Sequence, residues 1–549
     1  MTYRSIVRNS IFIGTLLTAP ASCKCTSSAQ VNPVNYPSAV TSLSNPSGTT
    51  TDIFNIGAAL TASSVPDADP IMPVMSMDGR RTSGRYLAPL SELANYFVNN
   101  DGNKPNASLS TVIHGTRARA AYHVYEDMAT HLCNSGATTS ESQALFFNFM
   151  TLYGAVTGNK QYAQEAYAYI RYFMMPHDGA ESPQLPDAKL GKGPFVIHWL
   201  IDVSGEAKSN TCPDGRPGSG VFGKNIVYNM YNPTPRSAPY SSIALGPNGQ
   251  VDLTLRQKGG GNHVASFSSA PDADQWLANG AYWAGKYGLG KPYEFLTNLR
   301  SGLSEGMTPD DDKDFPDTMR FAIYWGMDNP PTLAYKGTIN ELYAGYQDPA
   351  AWEIMGRPKW AKNVVKFLGA AQNEFSKRYG QSGPFMPLFK DGVFGWEGSD
   401  PNTYWMGFQY RTFAHLAHYY YLTGDKDAKA ILDRFVSWMK KNWAVDGSSV
   451  SIPQALDNKV NLGKVVKSGY EPGSFGLAAQ GLIALAAKDN DAELKKMGEV
   501  ILDDLAKNRK GKNGAYFYSD PLPSNSATYG FQNAEVGIAY GLYTLLLNN

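Results

Sequence analysis

Glu141 is a lone carboxylate at the mouth of an apolar, aromatic run. Ala137-Thr138-Thr139-Ser140-Glu141-Ser142 leads into Phe146-Phe147-Asn148-Phe149 and then Leu152-Tyr153-Gly154-Ala155-Val156-Thr157-Gly158-Asn159. A carboxyl pushed into apolar surroundings has its pKa raised. One kept protonated near neutral pH can protonate a leaving oxygen, which is general-acid chemistry. A plain structural role also fits: Thr138 with Glu141 three residues on forms a capping box at a helix start. His415 and His418 lie at i, i+3 on one helix face, but no third ligand is evident nearby, so a zinc site is not expected. Gly259-Gly260-Gly261 reads as a loop rather than a phosphate cradle.

These residues need a scaffold, and the chain is long enough to build one. It has 549 residues, 43% hydrophobic and 17% charged, which gives ample core and little charge. Lys and Arg number 48 and Asp and Glu 48, so nothing suggests an electrostatic footprint for nucleic acid. Aromatics reach 12%, a supply of flat side chains on which sugar rings could stack, although most should be core.

From about residue 110 the pattern is mostly helical. Amphipathic stretches cover 115–132, 141–156, 161–174, 273–286, 292–304, 317–326, 358–378, 405–422, 426–442, 473–487, 490–507 and 532–547. Leu152 to Asn159 closes one helix at Thr-Gly before Tyr162 to Phe173 opens the next. Tyr419-Tyr420-Tyr421-Leu422-Thr423-Gly424-Asp425 does the same before Ala428. In each the Gly serves as C-cap, and Asn or Asp opens the following helix. A third hairpin turns at Asp489-Asn490-Asp491. About twelve helices in six hairpins predict an all-α fold, an (α/α)6 toroid. Long polar insertions at 176–270, 305–316, 380–404 and 445–470 should gather on one rim and build a cleft. Within them, Val251 to Leu255 and Val264 to Phe267 read as a small β-hairpin.

Arg4 and Arg8 precede the apolar run Ile11 to Leu17, and Ala19-Pro20-Ala21 offers a cleavage site. Residues 1–22 therefore read as an export signal, too short to span a membrane. Cleavage before Cys23 would permit a lipid anchor there. Residues 23–55 read as a flexible leader, and 56–549 as one domain, placed in a secreted or cell-surface protein. Cys133 and Cys212 could pair in an oxidising compartment, which the sequence does not decide. No cofactor is expected. Calcium in Asp310-Asp311-Asp312-Lys313-Asp314 stays open beside a solvated acidic loop.

The chain resembles glycoside hydrolase family 48, the bacterial processive cellulases. Thr138-Thr139-Ser140-Glu141 and Leu152 to Asn159 match the family's acid segment and the turn after it. His198-Trp199-Leu200-Ile201-Asp202-Val203, Ala270 to Asp274 with Ala281-Tyr282-Trp283-Ala284, Gly345-Tyr346-Gln347-Asp348-Pro349, and Asn402 to Gln409 match further segments in order. The collinear motifs run over roughly residues 130–547. The resemblance implies an inverting glycosidase that cleaves a β-1,4-glucan between two carboxyls. Glu141 falls on the general acid. Asp272 and Asp274 fall in the segment of the base: one would hold the water and the other cap the helix starting near Ala273. Asp274 suits the base and Asp272 the cap. Trp199, Trp283, Tyr346 and Trp405 would stack on sugars, with Gln347 beside them. Asp202 and Gln409 would bond sugar hydroxyls or satisfy buried backbone.

Departures from the family's pattern leave alternatives. Thr130 stands where the family has a second Glu, and the loops that roof the tunnel are shorter. These favour a non-catalytic surface, structural or glycan-binding protein on the same fold. A polysaccharide lyase would use His198 and Arg256, but no motif ties them together.

Overall fold

The computed structural model describes residues 84–547, apart from 99–106, 114–115, 128–131, 135–136, 176–193, 203–241, 246–262, 267, 329–331, 397–402, 512–513 and 517–526. The export signal, the leader, Cys23, Thr130, Cys212, Arg256 and the Val251–Leu255 arm lie outside the described residues, and so therefore does the Cys133–Cys212 pairing.

Twelve α-helices are described. They are α1 Leu87–Val98, α2 Ser140–Thr157, α3 Gln161–Tyr169, α4 Pro271–Lys286, α5 Tyr293–Ser304, α6 Pro349–Ile354, α7 Pro358–Tyr379, α8 Gly407–Thr423, α9 Lys426–Lys441, α10 Pro472–Asp489, α11 Ala492–Asp504 and α12 Gly530–Leu546. The even-numbered helices form a ring: α2 packs on α4, then α6, α8, α10 and α12 follow, and α12 returns to α2. Each odd-numbered helix packs outside an even one, with the N-terminal α1 covering α12. This is the (α/α)6 toroid the hairpins predict. Its inner helices are buried nearly all round, whereas α7, α9 and α11 keep a charged face.

The hairpin turns form as their sequences dictate. Gly158 (φ 79°) ends α2 and Gly424 (φ 70°) ends α8, each donating its N–H to the carbonyl four residues back. Asp425 and Asp491 cap α9 and α11, accepting two backbone N–H groups apiece. Small residues let the ring close. A Cβ on Gly280 would sit 2.7 Å from the Phe147 ring, and one on Gly537 2.4 Å from Phe149.

Two expected helices are corrected. The 115–132 stretch holds strands Thr116–Ala121 and Val124–Asp127, and 317–326 runs into strand Ala322–Asp328. The first pairs with Ser108–Ile113 and the last with Thr332–Ile339. Arg and Ala alternate over Arg117–Ala120, and Ala322–Asp328 holds Ile, Tyr and Trp, so both satisfy a two-residue period. Their places in the toroid go to α1, in the outer layer, and to α6, in the ring, which at six residues is too short to show a helical period. The expected hairpin arm 264–267 appears as His263–Ser266, paired with Ser242–Leu245 and Leu200–Asp202.

Short extended segments lead into the inner helices. Ala137–Thr139 enters α2, Ser268–Ser269 α4, Thr403–Trp405 α8, Val465–Gly469 α10 and Ala527–Tyr529 α12. The helix N-termini therefore meet on one rim, where their partial positive charges favour carboxylates.

Candidate active site

Glu141 is the second residue of α2, and the helix N-cap stands one position beyond the expected one. Thr139 is the N-cap, and its Oγ1 accepts the Ser142 N–H at 3.1 Å. Glu141 is thereby released from capping. It keeps 23% of its side chain exposed and pairs with Arg411 of α8 through Nη2 and Oε1. Nη1 of the same guanidinium lies 4.0 Å from Asp272 Oδ2. Arg411 is 2% exposed and sits 4.5 Å above the Trp276 ring and 5.4 Å from that of Phe408. A third carboxylate, Glu535 of α12, is buried and interacts electrostatically with both Arg411 and Glu141. Gln480 Nε2 donates to Glu535 Oε2 at 2.7 Å.

One cation thus serves three carboxylates. Burial pushes Asp272 up to about 7, against the pull of Arg411 and with the Glu141 charge adding to the rise. Burial also pushes Glu535 up to about 7, opposed by Arg411 and Gln480. Glu141 is raised by burial and drawn back by Arg411.

Asp274 is placed differently. It is fully buried, accepts the Ile197 N–H at 2.7 Å through Oδ1, and accepts the Ser269 hydroxyl through Oδ2. Burial pushes it up to about 8. Both oxygens are committed to tying α4 to neighbouring segments, so Asp272, rather than Asp274, faces Glu141 across Arg411. Neither aspartate is the N-cap of α4, which is Ala270.

Unfolded carboxylates titrate near 4, so Asp272, Asp274 and Glu535 hold protons more tightly in the folded chain. The stability they contribute is fully present below about pH 4 and is lost as pH rises through 7 to 8. The thermal midpoint should fall between pH 5 and pH 8, and Asp274→Asn should shallow that slope. A slope unchanged in Asp274→Asn would mean that Asp274 is ionised throughout.

The expected sugar contacts divide into two groups. Trp199 and Trp405 are half-buried. Trp405 stands on the strand entering α8, edge-on to Phe408. The Trp199 carbonyl accepts the N–H of Ser140, next to Glu141. Asp202 lies on the neighbouring strand, with its backbone opposite Ala137. The other group is internal. Trp283 is 1% exposed and stacks on His418 at 5.5 Å. Tyr346 is buried against Phe321. Gln347 bonds both backbone groups of Met319, and Gln409 both backbone groups of Phe385. Gln409 thus takes the second of its two expected roles, satisfying buried backbone, while Trp283, Tyr346 and Gln347 are packed or bonded inside the protein rather than set out for sugar. Gln409→Leu should therefore destabilise the fold by about 1–3 kcal/mol for each backbone group it orphans. Urea unfolding would detect this, while KM on any substrate should stay unchanged; a raised KM with unchanged stability would restore the sugar contact.

Arg411 and Glu535 were missed by sequence reasoning. The signal was present: each is a lone charge inside an apolar, aromatic helix, as Glu141 is. His198 is wholly buried. Among the described residues no cluster of three or more His, Cys, Asp or Glu could hold a metal, and no helix is long and apolar enough to cross a membrane. In the Asp-rich loop, Asp312 Oδ1 accepts the N–H groups of Asp314 and Phe315.

Residues 363–521 match the family model of glycosyl hydrolase family 48. Over that stretch the chain is similar to the family. Exoglucanase-2 of Thermoclostridium stercorarium is 23% identical to it over 513 residues, covering 70% of this chain and 54% of the relative. Endoglucanase F of Ruminiclostridium cellulolyticum is 24% identical over 394 residues, 58% of this chain and 54% of the relative. Exoglucanase B of Cellulomonas fimi is 22% identical, over 58% of this chain and 37% of the relative. The chain thus spans about half the length of the family 48 relatives it matches, or less. The matched segment includes Arg411 and leaves out Glu141, Asp272 and Glu535. Among solved structures, a β-1,3-1,4-glucanase from Paenibacillus sp. X4 aligns with a TM-score of 0.47 at 12% identity, over 86% of this chain and 94% of that one. A cold-adapted family 8 xylanase in complex with substrate aligns at 0.46 and 12%, over 85% and 94%.

Proposed function

We propose that the chain is a secreted glycoside hydrolase acting by inversion on a β-1,4-linked, cellulose-like glucan. Glu141 is the general acid and Asp272 the base that holds the water. The observation that carries this reading is the convergence of Glu141 and Asp272 on the Arg411 guanidinium at the rim where the inner helices begin. Because one guanidinium reaches both, their oxygens stay within about 9 Å, which admits the spacing of about 6.5–9.5 Å found in inverting pairs. In the reaction the bond from C1 to the leaving oxygen breaks as Glu141 delivers its proton. Water bonds to C1 from the other face and yields its proton to Asp272. Half-buried Trp199 and Trp405 supply stacking surface near the acid and on the same rim. The relatives' names, exoglucanase and endoglucanase, support the substrate class. Sugar release from amorphous cellulose and cello-oligosaccharides tests the activity, and the anomeric NMR signal of the first product tests inversion. An α-anomer supports inversion at a β-linkage, and a β-anomer overturns it.

The Arg411–Glu141 ion pair favours a second reading. An acid neutralised by a buried cation is a poor proton donor, and the same rim would then bind a glycan without cleaving it. Binding of cello-oligosaccharides with no sugar release from cellulose, xylan or chitin would decide for that reading.

A further inference from the structure

Which threonine caps α2 decides where Glu141 points. With Thr138 at the N-cap, Glu141 would be the third helical residue and would close a capping box, its carboxylate turned back to the Thr138 N–H. With Thr139 there, as in the folded chain, Glu141 is the second helical residue and pairs with Arg411. Thr138 remains a competitor. It is buried beside the helix start, and its hydroxyl lies 3.5 Å from the Thr139 carbonyl, too long for a strong bond.

A buried side chain from outside the helix favours Thr139. His123 Nδ1 lies 2.9 Å from Thr139 Oγ1 and 2.6 Å from Ser142 Oγ, and those two hydroxyls lie 3.1 Å from each other. The Ser142 N–H donates to Thr139 Oγ1 at 3.1 Å and completes the cap. His123 is 3% exposed, Thr139 2% and Ser142 0%. Consecutive strand residues point to opposite faces, so the imidazole reaches Thr139 and not Thr138. We propose that His123 is a positioning residue for the acid, which selects Thr139 over Thr138 as the cap of α2 and so keeps Glu141 turned toward Arg411.

The imidazole is itself held firmly. Its ring stacks on Phe531 of α12 at 5.1 Å and 15°, and the His123 carbonyl accepts the Gly530 N–H at 2.8 Å. A Cβ on Gly530 would sit 2.1 Å from the Tyr122 carbonyl oxygen, so only glycine lets the two segments come this close. On the other side, Gln143 of α2 accepts the Ala121 N–H at 2.9 Å and donates to the Arg119 carbonyl at 3.0 Å. His123 is thus fixed between α2 and α12, neighbours in the ring that carry Glu141 and Glu535. Burial holds the ring down to about 3, so it is neutral near pH 7, and a neutral ring nitrogen can donate to a hydroxyl or accept from one. Pairing of Ala137–Thr139 with Leu200–Asp202 also holds the backbone here and is the rival cause of the register.

The test is a matched pair of crystal structures of the full chain. His123→Leu and His123→Asn have nearly the same shape, but only the amide puts a polar atom where Nδ1 stands. In His123→Leu the cap should move to Thr138, with the Glu141 carboxylate drawn from Arg411 to the Thr138 N–H. His123→Asn should keep the cap on Thr139. A cap on Thr139 in both, with Glu141 still on Arg411, would overturn the proposal and leave the register to the strand pairing. If loss of the stack unfolds the pair, His123→Phe retains a ring against Phe531 and should move the cap as the leucine does.

The effect on turnover rests on the hydrolase reading above. His123→Leu should lower kcat on cello-oligosaccharides about 10²-fold, as misplacement of a catalytic group does, at nearly constant KM. Adding Thr138→Val removes the competing cap and should restore most of the lost kcat, whereas Thr138→Val alone should match wild type. A purely structural His123 predicts no such rescue, and its absence would overturn the link to catalysis. An inactive wild type removes that link together with the hydrolase reading, while the crystal structures still decide what sets the cap.

Discussion

Glu141→Gln is expected to lower kcat on cello-oligosaccharides about 10²- to 10⁴-fold, the range supplied by a positioned general acid. The amide keeps the shape and can still accept from Arg411, so the ring should stay folded. It has no proton to give the leaving oxygen. The loss should be smaller for an aryl glycoside whose leaving group departs without protonation, since that step no longer needs the acid. This contrast separates chemistry from packing: a purely structural Glu141 would depress both substrates alike. Circular dichroism and the melting temperature, measured beside kcat, check that the variant is folded. Equal activity of variant and wild type on both substrates would remove Glu141 from the mechanism.

Arg411→Met should produce the largest change in stability. The methionine fills much of the same volume against Trp276 and Phe408 but leaves Glu141, Asp272 and Glu535 without their shared cation. Breaking a buried pair by removing one partner costs about 3–5 kcal/mol. That cost should depend on pH in a definite direction. Without the guanidinium the three carboxyls hold their protons to still higher pH in the folded chain. The stability they contribute is kept at low pH and lost as pH rises through their folded values, which for Asp272 and Glu535 already stand at about 7 with Arg411 present. Denaturant unfolding should therefore show a large deficit at pH 8 and a smaller one at pH 5. The alkaline limb of kcat should move upward in pH, because Glu141 stays protonated longer. Arg411→Lys keeps a positive charge without the two-pronged geometry and should recover part of the stability at pH 8. A deficit of equal size at both pH values would mean that Arg411 acts by packing alone.

Much of the fold can be read from local chemistry. Thr-Gly before Asn or Asp at 157–159 and 423–425 marks two hairpin turns, because a left-handed residue there is best met by glycine and the next helix by an oxygen cap. Those signals sit within a few residues and do not depend on what packs against them. The strands at Thr116–Ala121 and Ala322–Asp328 were harder to read, because short apolar runs satisfy helical and extended periods together until a partner strand is known. The six-residue α6 has too few residues to show any period.

The site divides in the same way. Glu141 and Asp272 were both legible, the first as a lone acid beside an apolar run and the second in the paired-aspartate segment that resembles family 48. Their assignment was not. Thr138 and Thr139 offer the same hydroxyl, and a one-residue shift of the cap decides whether Glu141 turns back to the helix or outward to Arg411. Asp272 and Asp274 are two residues apart on one helix. Ile197 and Ser269, distant from or outside that helix, claim Asp274. Gln409 and Gln347 look like sugar ligands until Phe385 and Met319 are seen to occupy both ends of each amide.

By itself, the sequence determined most of the helical hairpins and the segments that hold the acids, because turns, caps and amphipathic periods are local interactions written in neighbouring residues. The tertiary structure decided which carboxylate faces which, and that Arg411 stands among Glu141, Asp272 and Glu535 across as many as 270 residues of chain. Electrostatic environment and hydrogen-bond satisfaction depend on distance in space, and ring closure alone brings these helices together.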